Sequence, residues 1–103
     1  MLSQIDKEAD LNKLIFDLKQ DEELAYVLFY SDWDPYANIL VEKLRKRTVQ
    51  LNGTEVYLVN TLDCPHSWEI FRPEKYPALI GLKENYVYIE TSLPVIYRKL
   101  RVR

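Results

Sequence analysis

Apolar residues along this chain fall into two kinds of run, and the alternation between the two sets the expected architecture. Leu2 to Ile5 reads as a short first strand. Leu11, Leu14, Ile15 and Leu18 then recur at spacings of three and four, the stripe of a helix with one buried face, predicting a helix over residues 7–19 with Asp6 at its N-cap. Ala25 to Tyr30 is an unbroken apolar and aromatic run, too short for a long helix, and it predicts a buried strand at the centre of a sheet. Asp34-Pro35 supplies a capping acid and a proline for the first helical position, so a second helix is expected from Pro35 to about Arg47, with Ile39, Leu40, Lys43 and Leu44 recurring along it. Asn52-Gly53 marks a turn. Val56 to Val59 is another apolar strand, and residues 63–73 form a connection with room for one helical turn carrying Trp68 and Phe71. Ala78 to Leu82 and Tyr86 to Ile89 flank Lys83-Glu84-Asn85 as a hairpin. Ser92 caps a last helix with Pro94 in its first turn, continuing through Ile96, Tyr97 and Leu100.

Strands alternating with helices imply an α/β fold, a central mixed β-sheet flanked by helices on both faces, with the final hairpin as its antiparallel edge. No repeat or linker interrupts the pattern, and 103 residues make a single domain, 1–103. An apolar content of 48% with only two glycines excludes a disordered chain. The net charge of −2 is too small to argue for nucleic acid or an anionic membrane, although it is unevenly placed. Residues 1–34 hold nine acids against three bases, and the remainder holds seven against eleven.

Cys64 is the only cysteine, which excludes an internal disulfide and a cysteine-based metal cluster and points to a reducing compartment. The start Met1-Leu2-Ser3-Gln4-Ile5-Asp6 lacks the basic residues and apolar run of a signal peptide, and no stretch reaches the length of a membrane span. The expected location is the cytoplasm.

Few residues offer chemistry. Cys64-Pro65-His66 places a thiol beside an imidazole, so a one-cysteine thiol enzyme or redox sensor competes with a purely structural cysteine. His66, Cys64 and scattered acids are too few for a metal site, and no cofactor or small-molecule substrate is inferred. Arg98, Lys99, Arg101 and Arg103 with Lys43, Arg45, Lys46 and Arg47 make a candidate basic patch, but each group also falls at a predicted helix C-terminus, where cations are favourable. Nucleic-acid binding is not expected.

The segment Phe29-Tyr30-Ser31-Asp32-Trp33-Asp34-Pro35-Tyr36-Ala37 resembles the active-site turn of the thioredoxin superfamily with both cysteines missing. Asp34 stands at the first cysteine position and Ala37 at the second. The resemblance extends to Val56 to Asn60 and to Tyr76-Pro77-Ala78, covering nearly the whole chain. It implies a thioredoxin-like fold in which Pro77 is cis and faces the turn. It also implies that the buried Asp and Lys serving the thiols are replaced by Leu28 and Leu58. A carboxylate cannot exchange disulfides and alanine cannot resolve a mixed one, so a redox-inactive chain is expected. Asp32-Trp33-Asp34-Pro35 and Tyr57-Leu58-Val59-Asn60 are further similar to the spliceosomal thioredoxin-like family, which is non-redox and acts by binding proteins. That family is longer at the C-terminus and keeps a cysteine where Ala37 stands.

The resemblance implies a groove formed by Trp33, Asp34, Pro35 and Tyr36 with Tyr76 and Pro77 opposite. An extended segment of a partner protein would lie there, and the domain would be an adaptor with no catalytic residues. Two points stay open in the sequence. Asp34 is either a helix cap alone or also an anion offered to a partner, and the aromatics are either exposed anchors or packed against the chain's own loops. The alternatives to the adaptor are the Cys64 enzyme and a structural subunit associating through its sheet edge or terminal helices.

Overall fold

A computed structural model describes residues 2–46 and 54–102. The chain runs β1 (Leu2–Ile5), α1 (Glu8–Leu18), β2 (Ala25–Tyr30), α2 (Pro35–Lys46), β3 (Glu55–Asn60), α3 (Trp68–Phe71), β4 (Ala78–Lys83), β5 (Tyr86–Glu90) and α4 (Leu93–Lys99). The turn expected at Asn52-Gly53 and the basic residues Arg47 and Arg103 lie outside the described residues.

The strands order as β1-β3-β2-β4-β5. β3 pairs in parallel with β1 and with β2, whereas β4 runs antiparallel to both β2 and β5. This is the mixed sheet that the element pattern implies. β2 is central, and all of its residues are buried because helices cover both of its faces. Alternation assigns the side chains: Tyr26, Leu28 and Tyr30 join Leu40, Leu44, Leu58 and Ile96 on the α2/α4 face, whereas Val27 and Phe29 join Leu11, Ile15, Val59 and Cys64 on the α1/α3 face. Gly81 sits opposite Tyr26, and a Cβ there would approach the Tyr26 ring to 3.2 Å, so the lack of a side chain lets that ring lie across β4.

Several boundaries differ from expectation for local reasons. The N-cap of α1 is Lys7, in extended conformation and without a side-chain cap bond, and not Asp6. In α2 the buried stripe is Ala37, Leu40, Val41 and Leu44, so Ile39 is left half exposed. The hairpin turn is tighter than expected, because Lys83 pairs with Tyr86 and leaves only Glu84 and Asn85 between the strands. Asn85 takes a φ of 58°, a conformation that its short polar side chain tolerates. Ser92 occupies the N-cap of α4 as expected, but its side chain makes no cap bond. Just ahead of the helix, the carboxylate of Glu90 accepts from the backbone N–H groups of Thr91 (3.1 Å) and Ser92 (2.9 Å) and from the Tyr88 hydroxyl (3.0 Å). The Tyr76–Pro77 peptide bond is cis.

Candidate functional site

The segment between β2 and α2 holds itself in place through its own backbone and short polar side chains. Asp34 N–H donates to the Ser31 carbonyl (3.1 Å), and Trp33 N–H reaches the Ser31 hydroxyl (3.4 Å). The Asp34 carboxylate then accepts the Tyr36 N–H at 3.0 Å while its carbonyl accepts the Asn38 N–H, also at 3.0 Å. That is an N-cap, satisfying donors that the first helical turn leaves without partners. Pro35 follows at the first helical position, and the Asn38 amide closes the turn by donating to the Asp32 carbonyl at 2.6 Å.

This turn projects its aromatics outward. Trp33 is 79% exposed and Tyr36 67%, and Ile39, one turn further along α2, is half exposed. Tyr76 and Pro77 are placed differently. Pro77 is buried, and Tyr76 is half buried with its ring packed against the α1/α3 core and its hydroxyl enclosed without a hydrogen-bond partner among the described residues. Burial raises the Tyr76 pKa above its ordinary value. Of the six residues singled out in the sequence, Trp33, Asp34, Pro35 and Tyr36 form one surface feature, and Tyr76 and Pro77 pack inward.

Beside the turn lies a polar cavity of about 520 Å³ that sequence reasoning missed. It opens at the C-terminal ends of the three parallel strands, where Asp6, Asp32 and Asp63 follow β1, β2 and β3, and Asn38 and Glu42 border it from α2. Crevices at that end of a parallel sheet are the usual ligand position in α/β folds. An acid just beyond each of three strands was the available signal. Its floor is a short chain of polar groups: Arg45 donates to Gln4 Oε1 (3.1 Å), and Gln4 Nε2 donates to the hydroxyl of buried Tyr30 (3.3 Å).

The other candidates separate. Cys64 is fully buried in the α1/α3 core, and burial, followed by the nearby carboxylates of Glu8, Asp63 and Asp6, raises its thiol pKa. His66 is largely exposed, and its backbone N–H is held by Glu8 Oε1 at 2.8 Å. A thiol so placed is protonated and shielded, the opposite of an activated nucleophile. Lys43 lies 5.3 Å from the Tyr97 ring centroid and Lys99 lies 5.0 Å from that of Tyr88, so part of the basic group on α2 and α4 is engaged with the protein's own aromatics. Among the described residues no cluster of three His, Cys, Asp or Glu suits a metal ion, and no helix is long and apolar enough to cross a membrane.

Solved structures resemble this arrangement over almost its full length. Thioredoxin NaTrxh from Nicotiana alata superposes with a TM-score of 0.80 at 12% identity, covering 99% of this chain and 92% of that one. The fold is that of a thioredoxin. Thioredoxin O2 from Arabidopsis thaliana, in its oxidised state, gives 0.79 at 12% identity with 95% and 88% covered, and the reduced Schistosoma mansoni thioredoxin pre-protein gives 0.75 at 14% with 97% and 95% covered. No protein-family model matches the chain, and no curated protein matches it in sequence. Identities of this size establish the thioredoxin fold and carry no activity with them. Within that fold a single cysteine cannot form the two-cysteine centre of the turn, and the sequence resemblance sets Asp34 and Ala37 at its two positions.

Proposed function

We propose that this protein is a non-catalytic thioredoxin-like adaptor, binding a segment of another protein at the surface built by Trp33, Asp34, Pro35 and Tyr36, without disulfide exchange. The observation that carries the proposal is the exposure of Trp33 and Tyr36 on a turn whose backbone is internally bonded. Large aromatics with a polar atom, presented rigidly, lose little conformational freedom on docking and make effective interface anchors. Tyr76 and Pro77 serve this reading as the buried support of the neighbouring backbone. The likeness of Asp32-Trp33-Asp34-Pro35 and Tyr57-Leu58-Val59-Asn60 to the spliceosomal thioredoxin-like family, itself non-redox, points the same way. The test is affinity capture from extract of the source cells with wild-type protein beside Trp33→Ala/Tyr36→Ala, after circular dichroism shows equal folding. A partner held by wild type and lost by the variant upholds the proposal; identical bound sets from both baits overturn it.

A second reading, association through the sheet edge, is favoured by β5. Its outer edge has no pairing strand among the described residues, and Tyr86, Val87 and Ile89 are substantially exposed. Light scattering distinguishes the two, because self-association through β5 persists in Trp33→Ala/Tyr36→Ala and disappears when Val87 and Ile89 are replaced by Lys. The Cys64 alternative gains nothing from a buried thiol of raised pKa.

A further inference from the structure

The backbone groups of β5 have a direction that follows from bonds elsewhere in the sheet. The Tyr30 carbonyl accepts from Thr61 N–H (2.8 Å), just beyond β3, so Tyr30, Leu28 and Tyr26 turn their backbone groups to β3, and Ala25, Val27 and Phe29 turn theirs to β4. The residues opposite those three, Leu82, Ile80 and Ala78, face back to β2, which leaves Lys83, Gly81 and Leu79 facing β5. Glu84 agrees with this alternation, its N–H donating to the carbonyl of Asp21, ahead of β2, at 2.6 Å. Tyr86, Tyr88 and Glu90 are therefore the β5 residues bonded to β4, and Val87 and Ile89 point their N–H and C=O groups off the edge. Both of these side chains are substantially exposed, and no Lys, Arg or Pro within the strand blunts it.

An edge of this kind pairs with another strand, and the strand's own sequence is complementary to itself in one register. Outward residues pair only with outward residues, so a two-fold axis relating two copies passes at Val87, Tyr88 or Ile89. With the axis at Ile89, Val87 requires Thr91, whose N–H is already held by the Glu90 carboxylate (3.1 Å). With the axis at Val87, Ile89 requires Asn85, which sits in the hairpin turn at a φ of 58°, and Glu84 opposes Glu90 of the second copy. With the axis at Tyr88, Val87 exchanges both of its bonds with Ile89 of the second copy, and symmetry repeats the exchange. That register also sets Tyr86 opposite Glu90 of the second copy. Lys83 Nζ lies 5.4 Å from the Tyr86 ring centroid, so a cation stands beside each carboxylate across the seam. On the other face, Val87 and Ile89 of the two copies meet as cross-strand apolar pairs. We propose that β5 pairs antiparallel with β5 of a second copy about an axis at Tyr88, joining two five-stranded sheets into one. The proposal rests on the sheet-edge reading above and gives that edge its occupant.

Sedimentation equilibrium of the full chain should show the mass rising from 12.3 kDa toward twice that value between about 10 µM and about 1 mM, because one short strand makes a contact at the small end of interface sizes. Ile89→Pro removes an outward N–H and leaves the ladder to β4 intact, so it should keep the wild-type circular dichroism. Its dimerisation should be about thirtyfold weaker, one hydrogen bond being lost from each copy. The register is read on the unaltered chain by isotope-filtered NOESY of an equal mixture of labelled and unlabelled protein. An Hα–Hα contact between Tyr88 and Tyr88 of the second copy is expected, since residues of a non-hydrogen-bonded pair approach most closely. A chain still monomeric at about 1 mM, filtered contacts that join Tyr86 to Tyr88 or lie off β5, or unchanged dimerisation of a folded Ile89→Pro each overturn the proposal. The edge reading fails separately: a protein captured from extract by wild type and lost by Val87→Lys/Ile89→Lys keeps the edge while overturning the second copy as its occupant.

Discussion

Leu28 and Leu58 occupy the positions where the sequence resemblance places the buried Asp and Lys that assist thiol chemistry, and reinstating the first of these charges tests how far the present core excludes it. Leu28 is fully buried, with Leu58 beside it in register on β3 and Leu79 on β4, all three in the α2/α4 core. Leu28→Asp removes the burial of a whole leucine side chain, about 2–3 kcal/mol. It also places a carboxyl group where no neighbour named above can donate to it, a further ~1–3 kcal/mol on the scale of protein mutations. The sum for the neutral acid is about 4 kcal/mol, against a total stability of about 5–15 kcal/mol for a domain of this length. Desolvation favours the neutral form, so the folded-state pKa of the introduced carboxyl lies above its unfolded value of about 3.9. The extra penalty is therefore absent below about pH 4 and grows as pH rises, a two-unit shift adding about 2.7 kcal/mol by pH 7. Urea unfolding of Leu28→Asp and Leu28→Asn at pH 4 and pH 7 reads this directly, the Asn variant losing packing without gaining a titrating group. The expected result is a gap between the two variants that widens with pH. Parallel pH profiles, or a loss below about 1 kcal/mol at pH 7, would refute a dry α2/α4 core at this strand.

Trp33→Ala should leave stability within about 0.5 kcal/mol of wild type by thermal unfolding, because so little of the ring is buried; a larger loss means that the ring packs on its own protein. Cys64 should resist iodoacetamide in the native state and react only as the chain unfolds, and native alkylation at the rate of the denatured chain would contradict its burial and raised pKa. The Glu90 carboxyl should titrate below 4.5, lowered first by the Ser92 N–H and then by the Tyr88 hydroxyl, so its contribution to stability is present above 4.5 and lost as pH falls through its folded value. Tyr88→Phe should move the Glu90 midpoint upward in a carbon-detected NMR titration, and an unmoved midpoint removes the hydroxyl as a cause. Asp34→Asn should keep the helix cap and Asp34→Ala should lose about 1 kcal/mol; if Asn also preserves partner capture, Asp34 serves only as a cap, and if capture falls while stability holds, its charge meets the partner.

The elements were legible where the signal is local or repeated. An unbroken apolar run gave β2, three-and-four spacing gave α1, and Asp34-Pro35 gave the start of α2 to the residue. What escaped depends on atoms brought together from a distance or on choices between neighbours. Asp6 and Lys7 differ by one position at a helix start, a distinction that local preference does not resolve. Glu90 holds the entry to α4 because the end of β5 aims its carboxylate at the next two N–H groups, and nothing in the composition of the segment announces that. His66 is held to α1 by a contact spanning 58 positions, from Glu8, so neither half of it carries a motif. The resemblance sets Tyr76 opposite Trp33 and leaves open whether it is exposed or packed, and the structure packs it, half buried, against the α1/α3 core, because burial is decided by what the sheet places behind it.

At the turn, the sequence resemblance sets Asp34 and Ala37 at the positions where thioredoxins carry their cysteines. A thiolate at the start of a helix is stabilised by the unsatisfied N–H groups there, and a carboxylate one methylene from the backbone can fill the same electrostatic position without thiol reactivity. Asp34 does this through its bond to Tyr36 N–H, so the helix keeps its anion and its cap. Ala37 is fully buried against the sheet and joins the α2/α4 core. With both positions given to structure, the only large groups that the turn still offers to solvent are Trp33, Tyr36 and, beyond them, Ile39. Single exposed apolar side chains are ordinary, but three within seven residues of a turn and the helix it opens concentrate apolar surface at this place among the described residues. On the adaptor reading proposed above, function at this end of the sheet depends on what docks there, and the Trp33→Ala/Tyr36→Ala capture experiment decides it.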